Sequence, residues 1–184
     1  MQSTPNTPEN PATKTKFSQR NDGKIALVTG ANGGIGKEIA RQMLNSGMTV
    51  YVGSRDMQRG QAAVDELGGG ARLLVLDVTD ANSVAAAAER VAELDILVNN
   101  AGISDFGQPP TETEVDTFRR VYETNVFGVA AVTNAFLPAL RRSAHPRIVN
   151  VSSGTGSLAW STGPNPTLRR RAQLPMCAVQ DGRW

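Results

Sequence analysis

Apolar residues in this chain gather in short unbroken runs, and between the runs they recur every three or four positions. Runs at 25–29, 49–53, 73–76, 95–98 and 147–151 predict five strands. The runs are continuous rather than alternating, as in strands of a parallel sheet buried on both faces. Helical spacing fills 34–46, 57–67, 81–92 and a long stretch from about 113 to 142. Gly47 falls at the position that ends the first helix, Gly68-Gly69-Gly70 closes the second, and Asp80 caps the third. Pro138 predicts an interruption or bend in the fourth. Strand–helix alternation with right-handed crossovers gives an α/β fold, a doubly wound parallel sheet in the order 3-2-1-4-5.

The ends of the chain lack this rhythm. Residues 1–21 hold three prolines and almost no aliphatic side chains, which reads as a disordered tail. Residues 22–163 form the single folded domain. Residues 164–184, with Pro164, Pro166, Arg169-Arg170-Arg171 and Pro175, have neither helical nor strand periodicity. The run of arginines reads as a solvated segment.

Composition narrows the function. With 184 residues, 40% hydrophobic, the chain can bury one sizeable core. A net charge of +2 gives no argument for nucleic acid or an anionic membrane as partner. Cys177 is the only cysteine, which excludes an internal disulfide and a cysteine-based zinc cluster, so no metal site is expected. His145, the only histidine, precedes a proline in a loop and reads as solvated. No apolar run is long enough for a membrane span, and the first residues have no apolar core of a secretory signal. A cytoplasmic protein is the default.

Chemistry concentrates where strands end. After the first strand, four glycines fall within seven residues: Gly30, Gly33, Gly34 and Gly36. Strand, glycine turn and helix is the context in which such a loop holds a dinucleotide; a purely structural turn is the plainer reading. Gly30 makes the tight turn, Gly33 and Gly34 let backbone N–H groups approach a pyrophosphate, and Gly36 lets the helix sit close on the sheet. Ser54 and Arg55 end the second strand, where a carboxylate would otherwise accept from the adenosine 2′-hydroxyl. A guanidinium there suits a 2′-phosphate, which favours NADP(H) and leaves NAD(H) as the second choice. The same pair argues against a methyltransferase, which wants an acid at that point. Asp77 ends the third strand, placed to accept from an adenine amino group with Val78 against the ring; a simple cap is the alternative. Asn99 and Asn100 offer amides that bridge strand ends, and Ala101 and Gly102 leave room for a ribose.

Together these segments resemble the classical short-chain dehydrogenase/reductase family over roughly residues 23–157. The motifs are Thr29-Gly30-Ala31-Asn32-Gly33-Gly34-Ile35-Gly36, Asp77-Val78, Asn99-Asn100-Ala101-Gly102, Asn125-Val126-Phe127-Gly128 and Asn150-Val151-Ser152-Ser153. Gly53-Ser54-Arg55-Asp56 with Arg59-Gly60 is further similar to the carbonyl-reductase-like members, which are typically NADPH-dependent. The resemblance implies a Rossmann-type fold and a reduction of ketones or aldehydes, or oxidation of the alcohol. It adds Asn32 and Ile35 to the cofactor loop and makes Asn125 the helix asparagine that holds a catalytic lysine through water. Ser153 would bond the substrate carbonyl, with Ser152 the neighbouring alternative. Family members also pair subunits through the long helix at 113–142.

The family's proton donor is a tyrosine with a lysine four residues on. Neither tyrosine here, Tyr51 or Tyr122, has that lysine, and every lysine lies at or before Lys37. At the usual spacing from the serine the chain reads Asn165-Pro166. The expectation is an impaired enzyme, its C-terminal part truncated or frame-shifted, with a non-catalytic NAD(P)-binding module or an inactive fragment as alternatives. The coding DNA past the codon for Pro166 tests the frame-shift: a Tyr-x-x-x-Lys pattern in another frame is expected, and its absence overturns that expectation.

Overall fold

The computed structural model describes residues 21–104 and 112–153. The tail expectations for 1–20 and 164–184 lie outside the described residues. Five strands form one sheet: β1 Ile25–Val28, β2 Thr49–Ser54, β3 Ala71–Val75, β4 Ile96–Asn99 and β5 Arg147–Asn150. All pairs are parallel, in the order β3-β2-β1-β4-β5, as the pattern of apolar runs predicts. The helices are α1 Gly34–Asn45, α2 Met57–Leu67, α3 Ala81–Glu89, α4 Val115–Tyr122 and α5 Gly128–Leu140.

Alternate side chains of the strands feed two cores. Leu27, Leu74 and Leu97 point to one face, packing with Val84 and Ala87 of α3 and Val132 and Phe136 of α5. Ala26, Val28, Val50, Val52 and Val98 point to the other, under Ala40 of α1 and Ala63 of α2. Small residues allow that second layer to sit close. A Cβ on Gly60 would meet Leu73 Cδ1 at 2.4 Å and Ser54 Cβ at 2.9 Å, so α2 rests directly on the strands.

Most boundaries shift by one or two residues from the sequence reading, and two differences are larger. The third helix stops at Glu89 rather than Ala92, with Arg90 as its cap. The long helix is not broken at Pro138, which is accommodated inside the last turns of α5. It is broken instead at Glu123–Phe127, a π-turn joining α4 to α5. Insertions of this kind carry no sequence mark as strong as proline, and they occur where a helix must re-aim a functional side chain.

The N-terminal end of β4 is locked by Asp95, whose Oδ2 accepts from the Ile25 N–H at 2.8 Å while Oδ1 accepts from Ser143 Oγ at 2.5 Å. At the far side of the sheet, β5 pairs only with β4 among the described strands. Ile148 and Val149 are 44% and 47% exposed on it, so among the described residues this edge is open.

Phe136 is fully buried on α5 against the leucines of the sheet. Phe136→Ala is expected to lower unfolding free energy by about 3–5 kcal/mol, read as a shift in the denaturant midpoint at unchanged slope.

Candidate functional site

The strand order reverses between β1 and β4, and a crevice opens there beyond the carboxyl ends. Thr29 follows β1 and is buried; its Oγ1 accepts from the N–H groups of Asn100 and Ala101, each at 2.9 Å. Asn100 reaches back, its Nδ2 donating to the Thr29 carbonyl at 2.9 Å and the Gly30 carbonyl at 3.3 Å. Two strand ends are thus stitched by side chains of both, and the glycine loop is held at its first residue.

The glycines divide their work differently from the sequence reading. Gly30 turns with φ +64° and lies against Ala101. Gly36 was expected to bring helix and sheet together. In the structure its missing Cβ makes room for the clasp: a Cβ would stand 2.4 Å from Asn100 Nδ2 and 2.7 Å from the Gly30 carbonyl oxygen. Around Gly33 and Gly34 there is open space, and Gly34 adopts φ +53°. Gly33 is the residue before α1 and has no side chain to cap it, which leaves the helix's first N–H groups facing the crevice.

Two neighbouring cavities meet at a shared wall of Ile35, Asn100, Ala101, Gly102 and Ile103. The larger, about 600 Å³, is lined by the glycine loop with Asn32, by Arg55 and Arg59, and by Asp77 and Val78. The smaller, about 360 Å³, is lined by Asn99, Asn125, Asn150, Ser152 and Ser153. The residues singled out in the sequence from five strand ends and one helix therefore come together. Ile35, 69% exposed, stands where the cavities join.

Several of them also hold the cavity walls through hydrogen bonds of their own. Ser54 is buried; its hydroxyl donates to the Asp56 carbonyl at 2.7 Å and accepts from the Asp56 N–H at 3.2 Å. That hydroxyl fixes the turn presenting Arg55, and Ser54 also lines the larger cavity. Asp56 caps α2, accepting from the Arg59 N–H at 3.0 Å, and lies 3.7 Å from the Arg59 guanidinium. Asn99 is 4% exposed, and its Nδ2 donates to Thr133 Oγ1 and Asn150 Oδ1, tying β4 to α5 and β5.

Asn125 sits in the π-turn and uses both ends of its amide on one residue. Its Oδ1 accepts from the Ile103 N–H at 2.9 Å and its Nδ2 donates to the Ile103 carbonyl at 2.8 Å. Its side chain thereby holds the loop that forms the wall between the cavities. Lys37, one residue past the glycine loop, turns to α2, where it hydrogen-bonds Glu66. That ammonium, with Arg41 beside it, holds the Glu66 carboxyl below its ordinary value. A lowered pKa in the folded state stabilises above the unfolded pKa and is lost as pH falls through the folded one. Glu66 is exposed while Lys37 is mostly covered, and solvent around the carboxylate screens the pair, so its effect on stability is small.

Thr29, Asn100 and Ile103 were not singled out as ligand or catalytic residues in the sequence. The bridging of strand ends expected of the Asn100 amide is present, and a search for hydroxyl–amide pairs at adjacent strand ends would have found its partner Thr29. Ile103 carries no such signal.

Comparison with known proteins decides the lineage. A family profile described as short chain dehydrogenase matches residues 24–165. The chain belongs to the short-chain dehydrogenase family. It is 40% identical over 151 residues to the short-chain dehydrogenase anuI of Penicillium roqueforti, covering 76% of this chain and 60% of the relative. Salutaridine reductase of Papaver bracteatum is 38% identical, over 74% of this chain and 56% of that protein. Among solved structures, 3-ketoacyl-(acyl-carrier-protein) reductase from Brucella melitensis complexed with NADH aligns with TM-score 0.70 at 31% identity. It covers 82% of this chain, which covers 64% of it. A 7α-hydroxysteroid dehydrogenase complexed with NADH and 7-oxo glycochenodeoxycholic acid aligns with TM-score 0.69 at 32% identity, over 85% of this chain and 62% of that one. The chain spans about 60% of the length of the curated relatives first matched. Among the described residues, no helix is long and apolar enough to cross a membrane.

The clasp makes a paired prediction. Gly36→Ala should cost about 1–3 kcal/mol by overpacking Asn100, whereas Gly33→Ala should leave stability within about 0.5 kcal/mol. Thermal and denaturant unfolding of the two variants side by side checks it.

Proposed function

We propose that this chain carries the cofactor half of an NADP(H)-dependent, carbonyl-reductase-like oxidoreductase, acting on a small ketone, aldehyde or the corresponding alcohol. The observation that supports it most is the end of β2. Arg55 stands exposed at the rim of the larger cavity, and the one nearby carboxylate, Asp56, is engaged in capping α2 and pairing Arg59. A dianionic 2′-phosphate suits such a rim better than a free hydroxyl, which an acid would bind. The open backbone at Gly33 and Gly34, facing the first N–H groups of α1, suits the pyrophosphate. Lys37 is engaged elsewhere, so the helix terminus and backbone carry that contact. Asp77 and Val78 take the adenine, and Ala101 and Gly102 leave space for the ribose at the junction.

When bound, the nicotinamide supplies or accepts the hydride. In the smaller cavity, Ser153 is the group that bonds the substrate oxygen, with Ser152 beside it. Asn125 acts through Ile103 by fixing the wall between substrate and cofactor. No residue of the sequence offers the tyrosine–lysine pair that would deliver the proton, so the 184-residue chain is expected to bind cofactor and turn over little. A general acid contributes roughly 10²- to 10⁴-fold by itself. Two copies pair through the helix at 113–142, where Val115 is 63% exposed, and the protein works in the cytosol.

Titration calorimetry with NADP⁺ and NAD⁺ tests the cofactor. NADP⁺ is expected to bind at least tenfold more tightly, and Arg55→Ala to remove that margin, about the value of one charge-assisted bidentate contact. Equal affinities in the wild type would overturn the NADP reading. Carbonyl reduction by this chain that Ser153→Ala abolishes would overturn the claim of little turnover.

A further inference from the structure

The loop after β3 is more tightly arranged than a cap requires. Asp77 Oδ1 accepts two hydrogen bonds from Thr79, one from its N–H at 2.9 Å and one from its hydroxyl at 2.8 Å. The Asp77 N–H donates to Ser83 Oγ, in the first turn of α3, at 2.9 Å. The Asp77 carbonyl accepts from the Asp80 N–H at 3.2 Å. Backbone and one carboxylate oxygen are therefore fixed from two sides. Among the described residues no hydrogen bond reaches the other oxygen, Oδ2, and Asp77, Val78 and Thr79 all line the larger cavity.

We infer that Thr79 and Ser83 are positioning residues that make Asp77 a reader of the purine 6-position, selecting a 6-amino over a 6-oxo group. This rests on the assignment of Asp77 to the adenine given above. The chemistry follows from the donor inventory. An ionised carboxylate only accepts, so it attracts the two hydrogens of an adenine amino group and repels the carbonyl of a hypoxanthine. That choice has force only if the carboxylate cannot turn away. With two χ angles free, an unbraced aspartate swings its oxygens toward solvent and the repulsion is relieved. Thr79 prevents this by holding Oδ1, which leaves Oδ2 as the oxygen available to the base. Ser83 fixes the backbone from which the side chain springs. Thr79 itself is exposed and packs into no core, so its removal acts on the carboxylate rather than on the fold.

The test is calorimetric affinity of the full 184-residue chain for NADP⁺ and for nicotinamide hypoxanthine dinucleotide phosphate. The wild type should prefer the adenine form roughly tenfold, the scale of one hydrogen bond to a charged acceptor. Asp77→Asn, which gains a donor, should lose or reverse that preference. Thr79→Val should cut the ratio about threefold or more, Ser83→Ala should move it the same way, and Thr79→Ser should keep the wild-type ratio. A merely structural role would weaken both dinucleotides equally and leave the ratio unchanged. If Asp77→Asn shifts the preference and Thr79→Val does not, the brace is overturned while the adenine assignment stands. If neither the wild type nor Asp77→Asn discriminates, the adenine assignment fails and the brace with it.

Discussion

The site depends on one clasp, the hydrogen bonds exchanged between Thr29 and Asn100 across the β1–β4 crevice. A parallel sheet separates its strand ends at the point where the order reverses, and something must close that gap without filling the cleft. A buried hydroxyl and an amide do so with four bonds of ordinary length. The clasp dictates its surroundings. Gly30 must turn with positive φ, Ala101 must be small beside it, and Gly36 must have no Cβ where the Asn100 amide passes. A glycine motif that looks like phosphate chemistry is in part a steric consequence of holding two strands together.

Charge around the cavity is sorted with the same economy of position. Lys37 is drawn away to Glu66, and Asp56 is turned back onto its own helix, so Arg55 is presented without a carboxylate against it. Ser54, below the turn, aims the arginine by fixing the backbone of Asp56. The consequence is a rim that offers positive charge, while Asp77, the lining carboxylate not engaged in capping α2, sits at the end of the cavity formed by the loop after β3. Polarity changes along the cleft in the sense that an extended ligand with a central diphosphate requires.

At the other end, the smaller cavity is framed by α5, β5 and the π-turn. The turn adds one residue to the helical register, and that residue's region delivers Asn125 to Ile103. Gly128, just after it, lies so near Val78 that a Cβ would meet the Val78 carbonyl at 2.9 Å. The helix that holds the cavity wall thus also leans on the loop after β3. On β5, Ile148 and Val149 face opposite sides of the sheet and both are exposed, so this strand positions Ser152 and Ser153 while being paired, among the described residues, on one edge only.

Much of this was legible in the chain. Continuous apolar runs fix parallel strands because both faces must be dry, and the 3.6-residue spacing between them fixes helices. The strand ends then name their own polar residues: Asp77, Arg55, Asn99 to Gly102, Ser152 and Ser153 all sit where the cleft is. What the sequence could not decide is which polar atoms are already satisfied. Ser54 and Asn99 line the cavities and are at the same time bonded to Asp56, Thr133 and Asn150, partners that only the folded chain puts in place. The break at Glu123–Phe127 rather than at Pro138 is likewise tertiary, since a proline near a helix end loses few bonds, whereas Asn125 gains two by leaving the register. Residue type and period determined the sheet and the candidates around its mouth. Long-range hydrogen bonding, which joins residues up to seventy-two positions apart, decided which of them remain open to a ligand.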